Sequence, residues 1–348
     1  MQDDLLARLI APVTLAEFVD QYWARYPLYV PGVQGKFDEL IDESGFRQAL
    51  LAGRSRIAAL HNSDASTPLN ASYTETIAPE EVDAALSEGH TVCITDLSAS
   101  SADLTRIVAA ARRQLGTIGM ARFNAFLSPP GSGAELHIDA RVTFSLQISG
   151  RKRWQYGAAP AIDWPRSNAQ LLPSGEPLWM YPWCGTAHWE RLAPPSQDEL
   201  LDVVLSPGDL LCLPPGTWHS ACAVDQSFAL NLSFSPPDVP NLIGQLLARR
   251  LMENPIWRGG LPPSPLDVAT APDSMATPAR LVLATMLAQA ADLLTSEAAA
   301  LAAGRPTTAQ VIWAELAGRA RCDLSAVNAE RLTSGRPSRQ PGPVGLAG

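Results

Sequence analysis

The chain has 348 residues, 46% of them apolar and 18% charged, with 26 Lys and Arg against 35 Asp and Glu for a net charge of −9. That composition belongs to a globular protein long enough to bury a core without disulfides, and its acidity argues against a broad nucleic-acid or anionic-membrane surface. Five cysteines (Cys93, Cys184, Cys212, Cys222 and Cys322) without C-x-x-C spacing support neither a disulfide framework nor a thiolate zinc site.

The N-terminus is acidic at Asp3 and Asp4, where a signal peptide is basic. Leu15, Phe18, Val19, Tyr22 and Trp23 then repeat at helical spacing, which predicts a helix over 14–25 capped by Thr14 and stopped by Pro27. A short strand at 28–30 follows, then helices over 36–52, 79–88 and 101–115, the last capped by Ser101, with strands over 90–95 and 120–127. From about 134 to 236 the pattern changes to short strands broken by Pro and Gly, at 134–148, 201–205, 209–213 and 227–234. This is an all-β centre, most economically a small barrel or two-sheet jelly roll.

Helices return over 241–252, 278–303 and 308–320, and the Gly- and Pro-rich stretch 333–348 reads as a disordered tail. The greasy run 281–303 is broken by Gln289, Asp292 and Glu297, so no membrane span is expected and the protein is placed in the cytoplasm. Leu281, Leu283, Met286, Leu287, Ala290, Leu293 and Leu294 share a helical spacing that fits a homodimer face and an intrachain core equally. The expected organisation is a mainly β core with N-terminal α/β elements over 1–236, a helical region over 237–332 and the tail.

The chemistry concentrates in His137-Ile138-Asp139. On a strand, alternate residues face the same way, so an imidazole and a carboxylate enter one cavity. A third ligand is offered by His219, at the end of the run Gly208-x5-Pro214-x-Gly216-x2-His219. Two neutral imidazoles and one carboxylate leave coordination positions open, the facial arrangement suited to non-haem Fe(II). The H-x-D triplet alone is shared with surface pairs and structural histidines; the longer run is more specific, because turn residues and ligand sit at fixed offsets.

With Phe144-Ser145-Leu146-Gln147-Ile148-Ser149-Gly150-Arg151-Lys152-Arg153-Trp154 and the opening Phe18-Val19-Asp20-Gln21-Tyr22-Trp23, these residues resemble the Jumonji C, or cupin-4, branch of 2-oxoglutarate oxygenases. The likeness is to ribosomal-oxygenase-like protein hydroxylases, and it covers about 10–236 well. It implies a double-stranded β-helix and an Fe(II)- and 2-oxoglutarate-dependent enzyme that uses O2 to hydroxylate a side chain in a protein or peptide. His137, Asp139 and His219 are then the metal ligands, and the helices after 237 are a dimerisation region.

The resemblance also implies that Lys152, fifteen positions after His137, holds the distal carboxylate of 2-oxoglutarate. Arg151 and Arg153 should face away from it by strand alternation. Asn231 and Thr143 are candidates beside iron and co-substrate, and Gln147 shares their inward face; for each a structural hydrogen bond serves equally well. Ala134 and Ala223 stand where relatives carry a hydroxyl residue and Asn. Tyr181, Trp183, His188 and Trp189 are candidates for a peptide groove or for packing.

Within the enzyme class, demethylation of a methyl-lysine and oxidation of a free amino acid or biosynthetic peptide fit the same residues. A metal-binding cupin without catalysis is the alternative of a different class. It needs no anion-holding base, so Lys152 separates the two.

Overall fold

The computed structural model describes residues 5–52, 55–60, 74–117, 119–179, 192–235, 239–259 and 277–315. Along the chain, the N-terminal strands are β1 (Leu28–Val30), β2 (Arg56–Leu60), β3 (Thr74–Thr76) and β4 (Thr91–Thr95). The middle ones are β5 (Met120–Ser128), β6 (Gly133–Ile138), β7 (Val142–Ser149), β8 (Lys152–Gly157), β9 (Ala169–Leu171) and β10 (Pro177–Trp179). Then come β11 (Leu200–Leu205), β12 (Leu210–Leu213), β13 (His219–Ala223) and β14 (Ser227–Ser235).

They form two antiparallel sheets, ordered β1-β12-β7-β14-β5-β4-β2-β3 and β10-β9-β6-β13-β8-β11. Chain order alternates between the sheets through β5 to β8, and again through β11 to β14. That is the double-stranded β-helix the sequence led us to expect.

Alternation explains why polar side chains enter the interior of this sandwich. Phe123, Ala125 and Leu127 on β5, Val142, Phe144 and Leu146 on β7, and Phe228, Leu230, Leu232 and Phe234 on β14 all face outward. There they join one core with Leu6, Phe18, Phe46 and Leu104 from the N-terminal helical segments. Phe144 sits 5.5 Å from Phe18 and 5.8 Å from Phe234 between ring centroids, in tilted and edge-on contacts. Each such fully buried side chain stabilises the fold by about 1.5–3 kcal/mol.

Residues one step out of register point the other way, and many are polar: Arg122, Asn124, Thr143, Asn231 and Ser233 line a cavity inside the sandwich beside Phe126 and Ala229. Trp154, Tyr156, Leu205, Leu211 and Leu213 pack together across β8, β11 and β12. The remaining interior stays open.

The local expectations hold in most places and fail informatively in three. Thr14 caps as expected, accepting the Glu17 N–H at 3.2 Å, but the helix is short (Leu15–Glu17) and passes into a π turn, Phe18–Tyr22. The helix expected from 36 begins only at Glu43, because the chain turns through 34–40 first. The strand expected over 134–148 is two strands. It breaks at 139–141, where the Ala140 N–H turns to Asn168 Oδ1 at 2.9 Å instead of a ladder partner.

Residues 239–315 belong to a second compact unit, with helices Val239–Leu251, Pro255–Arg258, Thr277–Ala302 and 308–315. Within it Trp257 Nε1 donates to Gln289 Oε1 at 2.9 Å, and Arg249 pairs with Glu315 at 2.6 Å. The apolar stripe divides: Met286 and Ala290 are buried, while Leu281 and Leu287 are exposed. No helix among the described residues is long and apolar enough to cross a membrane. The tail at 333–348 lies outside the described residues.

Candidate metal centre

His137 and His219 stand opposite each other in the ladder between β6 and β13. Their ring centroids are 4.1 Å apart. His137 Nδ1 lies 2.7 Å from the Glu135 carbonyl oxygen and His219 Nδ1 lies 2.9 Å from that of Thr217. A carbonyl oxygen only accepts, so each Nδ1 carries the proton and each Nε2 keeps a free lone pair. Trp154 stacks on His219 at 6.0 Å with 23° between the planes.

Asp139 completes the cluster from just past the end of β6. One potential ligand atom from each of His137, Asp139 and His219 falls within 4.8 Å of the others. Asn168 Nδ2 donates to Asp139 Oδ1 at 2.5 Å, which fixes the carboxylate and leaves Oδ2 facing His219 Nε2 at 4.0 Å. Asn168 thus ties the turn twice, once to Asp139 and once to Ala140.

The run before His219 is fastened to the same turn, because the Gly216 N–H donates to the Asp139 carbonyl at 2.8 Å. Gly216 adopts φ +76°, and a Cβ there would lie 1.9 Å from the Ile162 carbonyl oxygen. Gly208, at φ +97°, meets the Val33 carbonyl in the same way at 2.1 Å. Both glycines of the motif are therefore dictated by backbone crowding.

The electrostatics suit a cation. Burial pushes the Asp139 carboxyl upward, but the two imidazoles, Arg141 and the Asn168 hydrogen bond together outweigh it and hold the group below its usual range. Burial, assisted by His137, lowers His219 to about 4. At neutral pH the cluster is a carboxylate with a neutral His219, the protonation state in which these groups ligate a metal.

The cluster opens into a cavity of about 280 Å³ that also takes in Lys152, Thr143, Trp154 and Asn231. Lys152 is 4% exposed. Its Nζ donates to Ser128 Oγ at 2.8 Å, and among the described residues no carboxylate pairs with it. Burial lowers this ammonium to about 8. Thr143 Oγ1 and Trp154 Nε1, also buried on the cavity wall, have no hydrogen-bond partner. A buried cation with spare donors and two orphaned polar groups is a binding site for an anion.

The sequence-predicted residues thus meet in one place: His137, Asp139, His219, Lys152, Thr143 and Asn231 share the cavity. Lys152 reaches it from β8, separated from β6 by β13. Arg151 and Arg153 face outward as expected, paired with Asp225 and Asp202.

Gln147 is structural, its Nε2 donating to Ser149 O at 2.8 Å and Ser227 Oγ at 2.8 Å. Ala134 lines the cavity and Ala223 lies opposite Lys152 in the ladder, so neither supplies a polar group. Tyr181, Trp183, His188 and Trp189 lie outside the described residues. Asn168 went unrecognised because nothing in the local sequence marks an asparagine 29 residues beyond Asp139 as its partner. Trp154 joins the site as well, its indole N–H unpartnered on the cavity wall.

Residues 105–242 match a family model described as a JmjC domain. Uncharacterized protein YxbC of Bacillus subtilis (strain 168) is 26% identical to it over 271 residues, covering 74% of this chain and 78% of that protein. A Drosophila persimilis protein named bifunctional lysine-specific demethylase and histidyl-hydroxylase NO66 is 28% identical over 238 residues. That alignment covers 66% of this chain but only 31% of the longer relative.

Among solved structures, the ribosomal oxygenase YcfD from Escherichia coli, in complex with cobalt and 2-oxoglutarate, shares the fold with a TM-score of 0.50 at 18% identity. The match covers 80% of this chain and 66% of that one. The span matched by the family model begins before β5 and ends after β14, so it contains every residue of the cluster and Lys152.

Proposed function

We propose that this protein is an Fe(II)- and 2-oxoglutarate-dependent oxygenase that hydroxylates a side chain in a protein or peptide. The observation that carries the reading is the buried Lys152 ammonium, without a carboxylate partner among the described residues, in the same cavity as His137, Asp139 and His219. The names of the relatives, a histidyl-hydroxylase and a ribosomal oxygenase, point the same way. A metal-binding cupin without catalysis has no use for such a cation, whose burial is unfavourable.

When bound, Fe(II) and 2-oxoglutarate supply the oxidation: the keto acid loses CO2 to become succinate, and one oxygen atom of O2 enters a substrate C–H bond. His137 Nε2, His219 Nε2 and Asp139 Oδ2 would hold the metal. Asn168 and the two backbone carbonyls keep those atoms aimed. Lys152 would take the distal carboxylate of the co-substrate, with Trp154 Nε1 as a further donor.

The distances along the sheet agree. Lys152 lies opposite Ala223 and Tyr156 opposite His219, four positions apart on β13, or roughly 13 Å at about 3.3 Å per residue. A lysine side chain and a short keto diacid together bridge that span to the imidazoles. Phe126, Trp154 and Ala229 on the cavity wall limit water around the reacting atoms.

This reading includes a cytoplasmic enzyme whose oxygenase part is 1–236 and whose helices over 237–332 pair two copies. Sedimentation at micromolar concentration tests the pairing, and a monomer contradicts it. The activity is tested without knowing the substrate, by following succinate formed from 2-oxoglutarate in air with added Fe(II). Slow O2-dependent release that disappears in His137→Ala supports the oxygenase; the same rate in both proteins overturns it.

A further inference from the structure

The cavity has a second cationic end, away from Lys152. Strand β7 runs from Val142, beside the turn carrying Asp139 and Arg141, to Ser149, beside the turn before Lys152. The registers across β14 and β5 put Ser233 and Arg122 at the level of Thr143. Arg122 therefore belongs to the metal end of the cavity. Ser128, which holds Lys152, is six positions further along β5, roughly 20 Å away. The distal carboxylate of a keto diacid held by Lys152 is therefore far from Arg122.

Several arginines on the outside of this molecule are matched with acids: Arg47 with Asp83, Arg151 with Asp225, Arg153 with Asp202. Those on the cavity wall are not. Among the described residues Arg122, half-buried, makes no hydrogen bond or ion pair. The Arg141 side chain, two residues from Asp139 and on the same cavity wall, likewise has no hydrogen bond or ion pair among the described residues. Arg56 adds a third guanidinium to the wall, fixed through its Nε to Thr76 Oγ1 at 2.8 Å. Asp139 is the only carboxylate among the lining residues described. A lysine or arginine side chain offered to such a mouth meets like charge, and a carboxylate meets unpaired donors.

We propose that Arg122, with Arg141, binds a carboxylate of the substrate, so that the group presented for hydroxylation is acidic. It is either an Asp or Glu side chain of a peptide or a free amino acid held by its own carboxylate. This deepens the oxygenase reading and rests on it.

The test uses the full chain loaded with Fe(II) and 2-oxoglutarate under nitrogen, watching the visible iron-to-keto-acid charge-transfer band. Substrate seated beside the metal changes that band. The probes are pools of N-acetylated, C-amidated peptides with a central Asp or Glu, the same pools with Asn or Gln, pools with Lys or Arg, free L-glutamate, and inorganic phosphate.

The expected result is a saturable change with the acidic pools or with free glutamate, at least tenfold weaker with the amide pools. A response to the acidic pools but not to glutamate identifies a peptide substrate, and the reverse identifies an amino acid. Arg122→Gln should still form the band while losing tenfold or more in its response to acidic probes. Arg122→Lys should keep part of the response, and Arg122→Glu should transfer it to the basic pools. An equal or stronger response to amide or basic pools, a response to phosphate alone, or none at millimolar concentration overturns the inference. A protein that forms no band at all removes the oxygenase reading, and this inference with it.

Discussion

Lys152→Met should stabilise the metal-free protein while abolishing its use of 2-oxoglutarate. Burial lowers the ammonium from 10.5 to about 8. At 1.36 kcal/mol per pKa unit, keeping it charged inside costs about 3 kcal/mol relative to an exposed lysine. Methionine has similar length and no charge. It loses the hydrogen bond to Ser128, a net of about 1 kcal/mol, but Ser128 Oγ still accepts from Thr91 Oγ1 at 3.0 Å and is not orphaned.

The expected gain at pH 7 is about 1–3 kcal/mol, or a melting temperature higher by about 2–4 °C per kcal/mol for a unit this size. The sign with pH follows from linkage. The folded pKa lies below the unfolded one, so the penalty is fully present below about 8 and fades as pH rises towards 10.5. Wild-type stability should therefore climb through that window relative to the variant. Urea denaturation at several pH values measures both. A variant less stable than wild type at pH 7, or a gap that does not narrow by pH 10, refutes the argument. With metal present, 2-oxoglutarate at a hundredfold excess over its Kd should add about 2.7 kcal/mol to wild type and nothing to the variant.

Asn168→Ala removes the donor that fixes Asp139, and calorimetric titration with Co(II) should show metal affinity reduced by about 10–100-fold with the fold intact. Unchanged affinity contradicts its positioning role. Gly216→Ala sets a Cβ against the Ile162 carbonyl at a left-handed backbone position. It should lose at least about 1 kcal/mol in urea and weaken metal binding as well, because the same turn holds Asp139. Phe144→Ala should destabilise the fold by about 3–5 kcal/mol in the same assay; a loss below about 1 kcal/mol would show that the core behind the major sheet is not packed as described.

What the sequence disclosed follows from what is local. His137 and Asp139 are two residues apart, and the turn residues that deliver His219 are contiguous with it, so spacing alone exposes the metal set. Periodicity likewise marks the helices over 102–115 and 277–302 and most central strands. What stayed hidden depends on pairing between distant segments. Asn168 reaches Asp139 only because β6 and β9 are neighbours, and Arg122 joins the cavity only through the β5–β14 register. The break at 139–141 was invisible for the same reason, since its hydrogen bonds come from Asn168 and Gly216.

The central claim is that one cavity holds both a metal and a keto acid. Anaerobic titration of the metal-free protein with Fe(II) and then 2-oxoglutarate, followed by the visible charge-transfer band, tests it most directly. A band that saturates with co-substrate, vanishes in His137→Ala and fails to form at the same concentrations in Lys152→Met is the predicted result. Fe(II) binding with no band, or a band of equal affinity in Lys152→Met, contradicts the account.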